Sequence, residues 1–174
     1  MQSPYCFIVK PEGGLRYNNE NEFGLILSNT HEDHTITNRK ALVVETPIGY
    51  KGDIKRGDTL IVHHNVFRTY NDMKGRHRSG RSYLKDDLFL IDPDQFFMYS
   101  HKGGWKCPGK YCFVKPTGEH LTGEMKYINK ELELLGIQAG DLVSFTPDSE
   151  YEFDIDGEKL YRMFTKNIAI KWKK

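Results

Sequence analysis

Residues 63–85 bring together side chains whose types and spacing suit the binding of a polyanion. Arg68, Lys74, Arg76, His77, Arg78, Arg81 and Lys85 are interleaved there with Phe67, Tyr70 and Tyr83. Cations follow phosphates and rings stack on bases, so this pattern fits single-stranded nucleic acid. Phe67, Arg68, Tyr70, Arg76, Arg78 and Arg81 are the candidate contacts. Asp72, Asp86 and Asp87 dilute the charge, and no comparable patch is read in the second half of the chain. A solvated hairpin explains the segment as well, and nucleic acid is the less favoured partner.

A second segment has the opposite character. Phe23-Gly24-Leu25-Ile26-Leu27 is an apolar island in a stretch of Asn, Glu, Ser, Thr and His. Such an island cannot bury itself locally, so a mobile loop is expected over 16–40. Each large aliphatic side chain contributes about 1.5–3 kcal/mol if a partner buries it fully. Ordering the loop opposes that gain, so one loop binds weakly and several bind by avidity. Gly24 permits a turn beside the apolar triplet. The competing expectation is an ordinary core strand at 25–27.

Metal and catalytic chemistry find little support. His31, His34, His63, His64, Cys107 and Cys112 lack the second pair that a closed zinc site requires, so no metal is expected. No phosphate-cradling glycine loop and no nucleophile elbow occurs. Asp53, Asp58 and Asp141 are explained by turns. The chain is not expected to be an enzyme or to carry a cofactor.

These segments sit in a chain that repeats itself. Tyr5-Cys6-Phe7-Ile8-Val9-Lys10-Pro11 returns as Tyr111-Cys112-Phe113-Val114-Lys115-Pro116, and Ile54-Lys55-Arg56-Gly57-Asp58 returns as Ile137-Gln138-Ala139-Gly140-Asp141. Apolar segments at 88–99 and 160–172 close the two copies. Three blocks in the same order predict two copies of one small β domain. The copies span 1–100 and 111–174, with a Gly- and Pro-bearing linker at 101–110. Strands are expected at 5–10, 41–45, 59–63, 88–91 and 96–99. In the second copy they are expected at 111–115, 124–128, 142–145, 151–155, 159–164 and 167–172. Asp156-Gly157 signals a hairpin, and 130–135 has room for one helical turn of little weight. Cys6 and Cys112, at matching positions in the motif, are expected to be small buried residues. The first copy carries two insertions, 16–40 and 63–87.

The formal net charge of +1 argues against attraction of the whole chain to nucleic acid or membrane. No run is long and apolar enough to span a bilayer, and the N-terminus lacks a secretory pattern. A reducing cytoplasm is the expected compartment.

The order of a strand ending in Val-Lys-Pro, a loop, a strand, a Gly-Asp step and a closing apolar strand resembles the GroES-type co-chaperonins (chaperonin-10). The resemblance covers nearly the whole chain, twice. It implies an all-β fold of two tandem GroES-like small β-barrel repeats, each closing on the apolar segment at 88–99 or 160–172. It places Phe23, Gly24, Leu25, Ile26 and Leu27 in the family's mobile loop, which docks on the chaperonin. It further implies a GroEL-type chaperonin as partner, unfolded client proteins inside the chamber, ATP held by the partner, and a homo-oligomeric ring. The second copy lacks room for such a loop between Pro116 and Gly123. The family's roof is shortened in both copies, at 46–55 and 129–136. That roof and the tandem build imply a phage-encoded form acting in the host cytoplasm. On the same fold, a structural or assembly role is the remaining expectation.

Overall fold

The computed structural model describes residues 1–17 and 37–173. The chain is nearly all-β and divides into two compact units, Met1–Gly104 and Trp105–Lys174. The first unit contains β1 (Phe7–Pro11), β2 (Lys40–Glu45), β3 (Thr59–Val62), β4 (Thr69–Asn71), β5 (His77–Ser79), β6 (Tyr83–Lys85), β7 (Leu88–Ile91) and β8 (Phe96–His101). After β9 (Gly104–Lys106) come β10 (Tyr111–Pro116), β11 (Thr122–Tyr127), α1 (Lys130–Leu134), β12 (Leu142–Phe145), β13 (Tyr151–Ile155), β14 (Glu158–Phe164) and β15 (Ile168–Lys171).

The two main sheets have the same plan. One runs β6-β7-β1-β2-β3-β8-β9, the other β13-β14-β10-β11-β12-β15. Six strands therefore correspond in order, and the pairings between them are antiparallel. The register corresponds as well. Val9 faces Val43 and Pro11 faces Ala41, while Val114 faces Met125 and Pro116 faces Gly123. Both opening strands carry an irregularity one residue before that valine. Closed barrels were expected; among the described residues each sheet instead has two free ends.

Alternation explains the burial. In β2, Ala41 and Val43 point into the first core, which also holds Phe7, Val9, Leu60, Val62, Phe89 and Ile91. In the second unit Cys112, Val114, Met125, Val143, Phe145 and Met163 form the equivalent core. Both sets bury apolar area at about 25 cal/mol per Å², the dominant favourable term.

Register corrects one sequence expectation. Phe7 stands opposite Ile91 as Cys112 stands opposite Met163, so Cys112 is the counterpart of Phe7 rather than of Cys6. Cys112 is buried, whereas Cys6 precedes β1 and is only half-buried, its thiol donating to Asp92 Oδ1 at 3.2 Å. The helical turn also matters more than expected, because α1 puts Leu132 into the second core.

The Gly-Asp step is the same device in both units. Gly57 N–H donates to Val43 O, and Val43 N–H donates to Asp58 O. The Asp58 carboxylate turns back to accept from Lys55 N–H at 2.8 Å. Gly140, Met125, Asp141 and Gln138 repeat this, with the last bond at 2.7 Å. The glycines have φ of +90° and +89°, a region costly to residues with a Cβ, although a Cβ would meet nothing within 4 Å. Gly140→Ala is thus expected to destabilise the second unit by about 1–2 kcal/mol through backbone strain alone. Urea unfolding should show this, with Gly140→Asn losing less; equal stability of wild type and Gly140→Ala would remove the strain argument.

Candidate functional site

The two insertions of the first unit meet at their bases. After β1, the chain turns through Glu12–Gly14 and reaches Arg16 and Tyr17. Tyr17 bridges Thr37 in antiparallel fashion, and Asn38 N–H donates to Arg16 O at 2.9 Å. Asn38 fastens this stem: its Nδ2 donates to Glu12 O and Leu15 O at 2.9 and 2.7 Å, and its Oδ1 accepts from Lys40 N–H. A buried amide with all these groups paired fixes where the segment between 17 and 37 leaves and returns.

The stem is joined in turn to the second insertion. The buried Tyr17 hydroxyl accepts from Thr69 N–H at 2.9 Å and lies 3.0 Å from Thr69 Oγ1. Arg16 donates to Ser79 Oγ at 3.0 Å and pairs with Asp87 at 2.8 Å. Its guanidinium also lies over the rings of Tyr83 and Phe89, at 5.2 and 5.1 Å from their centroids. Beyond this junction β4 and β5 form a separate two-stranded hairpin. Asp72 organises its tip. The carboxylate accepts from Lys74 and Arg76 N–H, each at 2.9 Å, and pairs with Arg78 at 3.3 Å. Hydrogen bonds from the Arg76 and Lys74 backbones and from the Arg78 side chain hold its carboxyl below the usual aspartate range.

The structure sorts the candidate residues. Phe23, Gly24, Leu25, Ile26 and Leu27 lie outside the described residues. Phe67 is fully buried and packs edge-on against Phe89 at 4.8 Å, so this ring serves the core and offers no face to a base. Tyr70, Arg76, Arg78 and Arg81 are exposed, and Arg68 is half-buried. The hairpin therefore presents cations and one candidate ring, rather than alternating cations and rings.

A basic and aromatic patch that sequence reading placed only in the first unit has a counterpart in the second. Arg162 lies over Tyr111 and Tyr151 at 5.0 and 4.9 Å, and Lys110 and Lys166 lie over Phe164 at 5.4 and 5.5 Å. Cross-strand pairing assembles it, since Tyr111 faces Phe164 and Tyr151 faces Arg162. Burial pushes the Arg162 guanidinium below its usual range.

An open groove of about 600 Å³ runs along the second unit between Trp105, Lys106, Lys126, Tyr127, Lys130 and Glu133. Cys107, on its wall, is kept a thiol by burial; burial pushes Cys112 up to about 12. Neither is poised as a nucleophile. Among the described residues no three His, Cys, Asp or Glu side chains converge as metal ligands. None of their helices is long and apolar enough to cross a membrane. Compared with models of known protein families and with curated proteins, the chain matches none.

Proposed function

We propose that this chain is a co-chaperonin of the GroES type in tandem form, a lid that caps a GroEL-type chaperonin ring and assists ATP-dependent folding of client proteins. The observation that carries this reading is the doubled sheet plan with an excursion between the first two strands of one copy only. Pro11 and Ala41 are separated by a long excursion, whereas their counterparts Pro116 and Gly123 are separated by a short turn. The excursion leaves and returns through the Arg16–Asn38 stem. On this reading the first repeat, 1–100, grips the chaperonin through Phe23, Gly24, Leu25, Ile26 and Leu27. The second, 111–174, completes the lid, and copies of the chain assemble as a homo-oligomeric ring in the cytoplasm. The lid hydrolyses nothing; ATP belongs to the partner.

Size-exclusion co-elution with a bacterial chaperonin tests the reading. ATP-dependent co-elution of wild type, lost in a Leu25→Ser/Ile26→Ser/Leu27→Ser variant, is the expected result. Association that is unchanged in the variant, or that is absent with and without ATP, refutes it. A second reading, a single-stranded nucleic-acid binder, is favoured by the exposed hairpin cations and Tyr70. It requires oligonucleotide affinity that falls steeply with salt and is lost in Arg76→Glu/Arg81→Glu.

A further inference from the structure

The β4–β5 hairpin is fixed at its base and its tip. Thr69 is bonded to Tyr17, Ser79 to Arg16, and Asp72 closes the turn. Over the whole insertion, 63–87, Arg68, Lys74, Arg76, Arg78, Arg81 and Lys85 stand against Asp72, Asp86 and Asp87. Two of those acids are committed within the first unit, Asp72 to Arg78 and Asp87 to Arg16. Lys74, Arg76, Arg81 and Lys85 are exposed, and their side chains have no acidic partner among the described residues. Met73 sits fully exposed at the tip.

The second unit carries a stretch of the opposite sign. Everything between β12 and β14, residues 146–157, holds Asp148, Glu150, Glu152, Asp154 and Asp156 and no lysine or arginine. Along β13, Glu152 and Asp154 are exposed while Phe153 and Ile155 are buried. Among the described residues β13 ends its sheet. Glu152 pairs with Lys159, and Asp156 accepts from Trp105 Nε1. Asp148, Glu150 and Asp154 are exposed and have no cationic partner among the described residues.

We propose that the β4–β5 hairpin of one copy docks on the 146–157 segment of a second copy of this chain, so that copies associate head to tail. Complementary charge selects that occupant. A net-positive insertion meets a segment that is acidic without exception. The spacing agrees. Arg76 and Arg78 are two residues apart, as are Glu150, Glu152 and Asp154, and extended backbone sets such charges about 7 Å apart on one side. Met73 gives the contact an apolar centre within a polar rim. The two surfaces differ, so the contact is heterologous and repeats from copy to copy until a ring closes. Its ion pairs are exposed, so each is weak and salt loosens them together. This inference rests on the proposed ring, for which it supplies the surface, and it uses no residue between 17 and 37.

Zero-length carbodiimide cross-linking of the full chain joins a carboxylate to a lysine amine in contact with it and tests the pairing. Mixing isotope-labelled and unlabelled chains separates links between copies from links within one. The expected product joins Lys74 or Lys85 of one copy to an acid within 146–157 of another. It should fall at least about fivefold at 1 M NaCl, where the Debye length is about 3 Å. Sedimentation velocity gives a second readout. Arg76→Glu/Arg81→Glu and Glu150→Lys/Asp154→Lys should each weaken self-association at least about tenfold. All four changes in one chain should restore it to within about threefold of wild type, which damage to the fold would not do. Links that stay within one chain, links only to acids outside 146–157, a wild type that sediments as a monomer throughout, or a four-site variant no tighter than the two-site ones would each overturn the proposal. A chain that links in this way but does not co-elute with a chaperonin would count against the co-chaperonin reading alone. Co-elution as a ring without these links would count against this contact alone.

Discussion

Phe67→Ala should cost the first unit about 3–5 kcal/mol, the usual range for removing a fully buried phenylalanine. The ring is completely enclosed, packed edge-on against Phe89 within the cluster that also holds Phe7, Val9 and Leu60. The cavity would open where the second insertion joins the core, next to Val66 and two residues before Thr69. Hydrogen exchange resolved by unit is the suitable measurement. Protection should drop across 1–104 and stay unchanged across 105–174. Tyr70→Ala, three residues on and exposed, should shift stability by no more than about 0.5 kcal/mol. If the two variants proved equally mild, Phe67 would not be the anchor of the insertion, and an aromatic role at the surface would reopen.

Asn129→Ala should cost the second unit about 2–3 kcal/mol. This buried amide is a junction of three elements. Its Oδ1 accepts from Leu132 N–H at 3.0 Å and caps α1, while its Nδ2 donates to Tyr111 O at 3.1 Å and to Thr165 Oγ1 at 2.6 Å. Alanine would strand the Leu132 donor at the end of a helix too short to hold itself together. Asn129→Asp keeps the cap but places an acceptor against Tyr111 O, so it should recover little. Chemical denaturation of the three proteins decides the matter. Full recovery by aspartate would reduce the role of Asn129 to capping alone.

Much of the framework was legible in the sequence for physical reasons. The Gly-Asp step needs a positive φ at one residue and a short carboxylate at the next, and few other pairs meet both demands; it therefore recurs intact at 57–58 and 140–141. Strands with alternating or continuous apolar character, such as 59–63 and 142–145, were visible for the same kind of reason. Matching Cys6 to Cys112 failed because a pattern match fixes residue order but not the ladder, and one residue slipped in the first copy reverses which side chains face inward. The burial of Phe67 was hidden because an aromatic beside an arginine looks the same whether it faces core or solvent. The Arg162 cluster was hidden because Tyr111 comes from β10, far along the chain from the β13–β14 hairpin that supplies Tyr151, Arg162 and Phe164. The junction of Tyr17 with Thr69 was illegible for the same reason, and it joins the two segments that sequence reading had kept as separate candidates.

The strand pairings also bear on the order of events during synthesis. In the first unit β1 must wait for β7, so that Phe7 meets Ile91 only after both insertions have emerged; in the second unit Cys112 meets Met163 across a much shorter stretch. Closing a flexible stretch costs about 0.6 kcal/mol more for each doubling of its length, so the thermodynamic difference is small. The kinetic difference is larger, because folding rates fall as contacts become less local. The second unit is therefore expected to fold faster than the first. The Tyr17–Thr69 and Arg16–Ser79 bonds join the bases of the intervening insertions, and once made they shorten the effective span that the first half has to close.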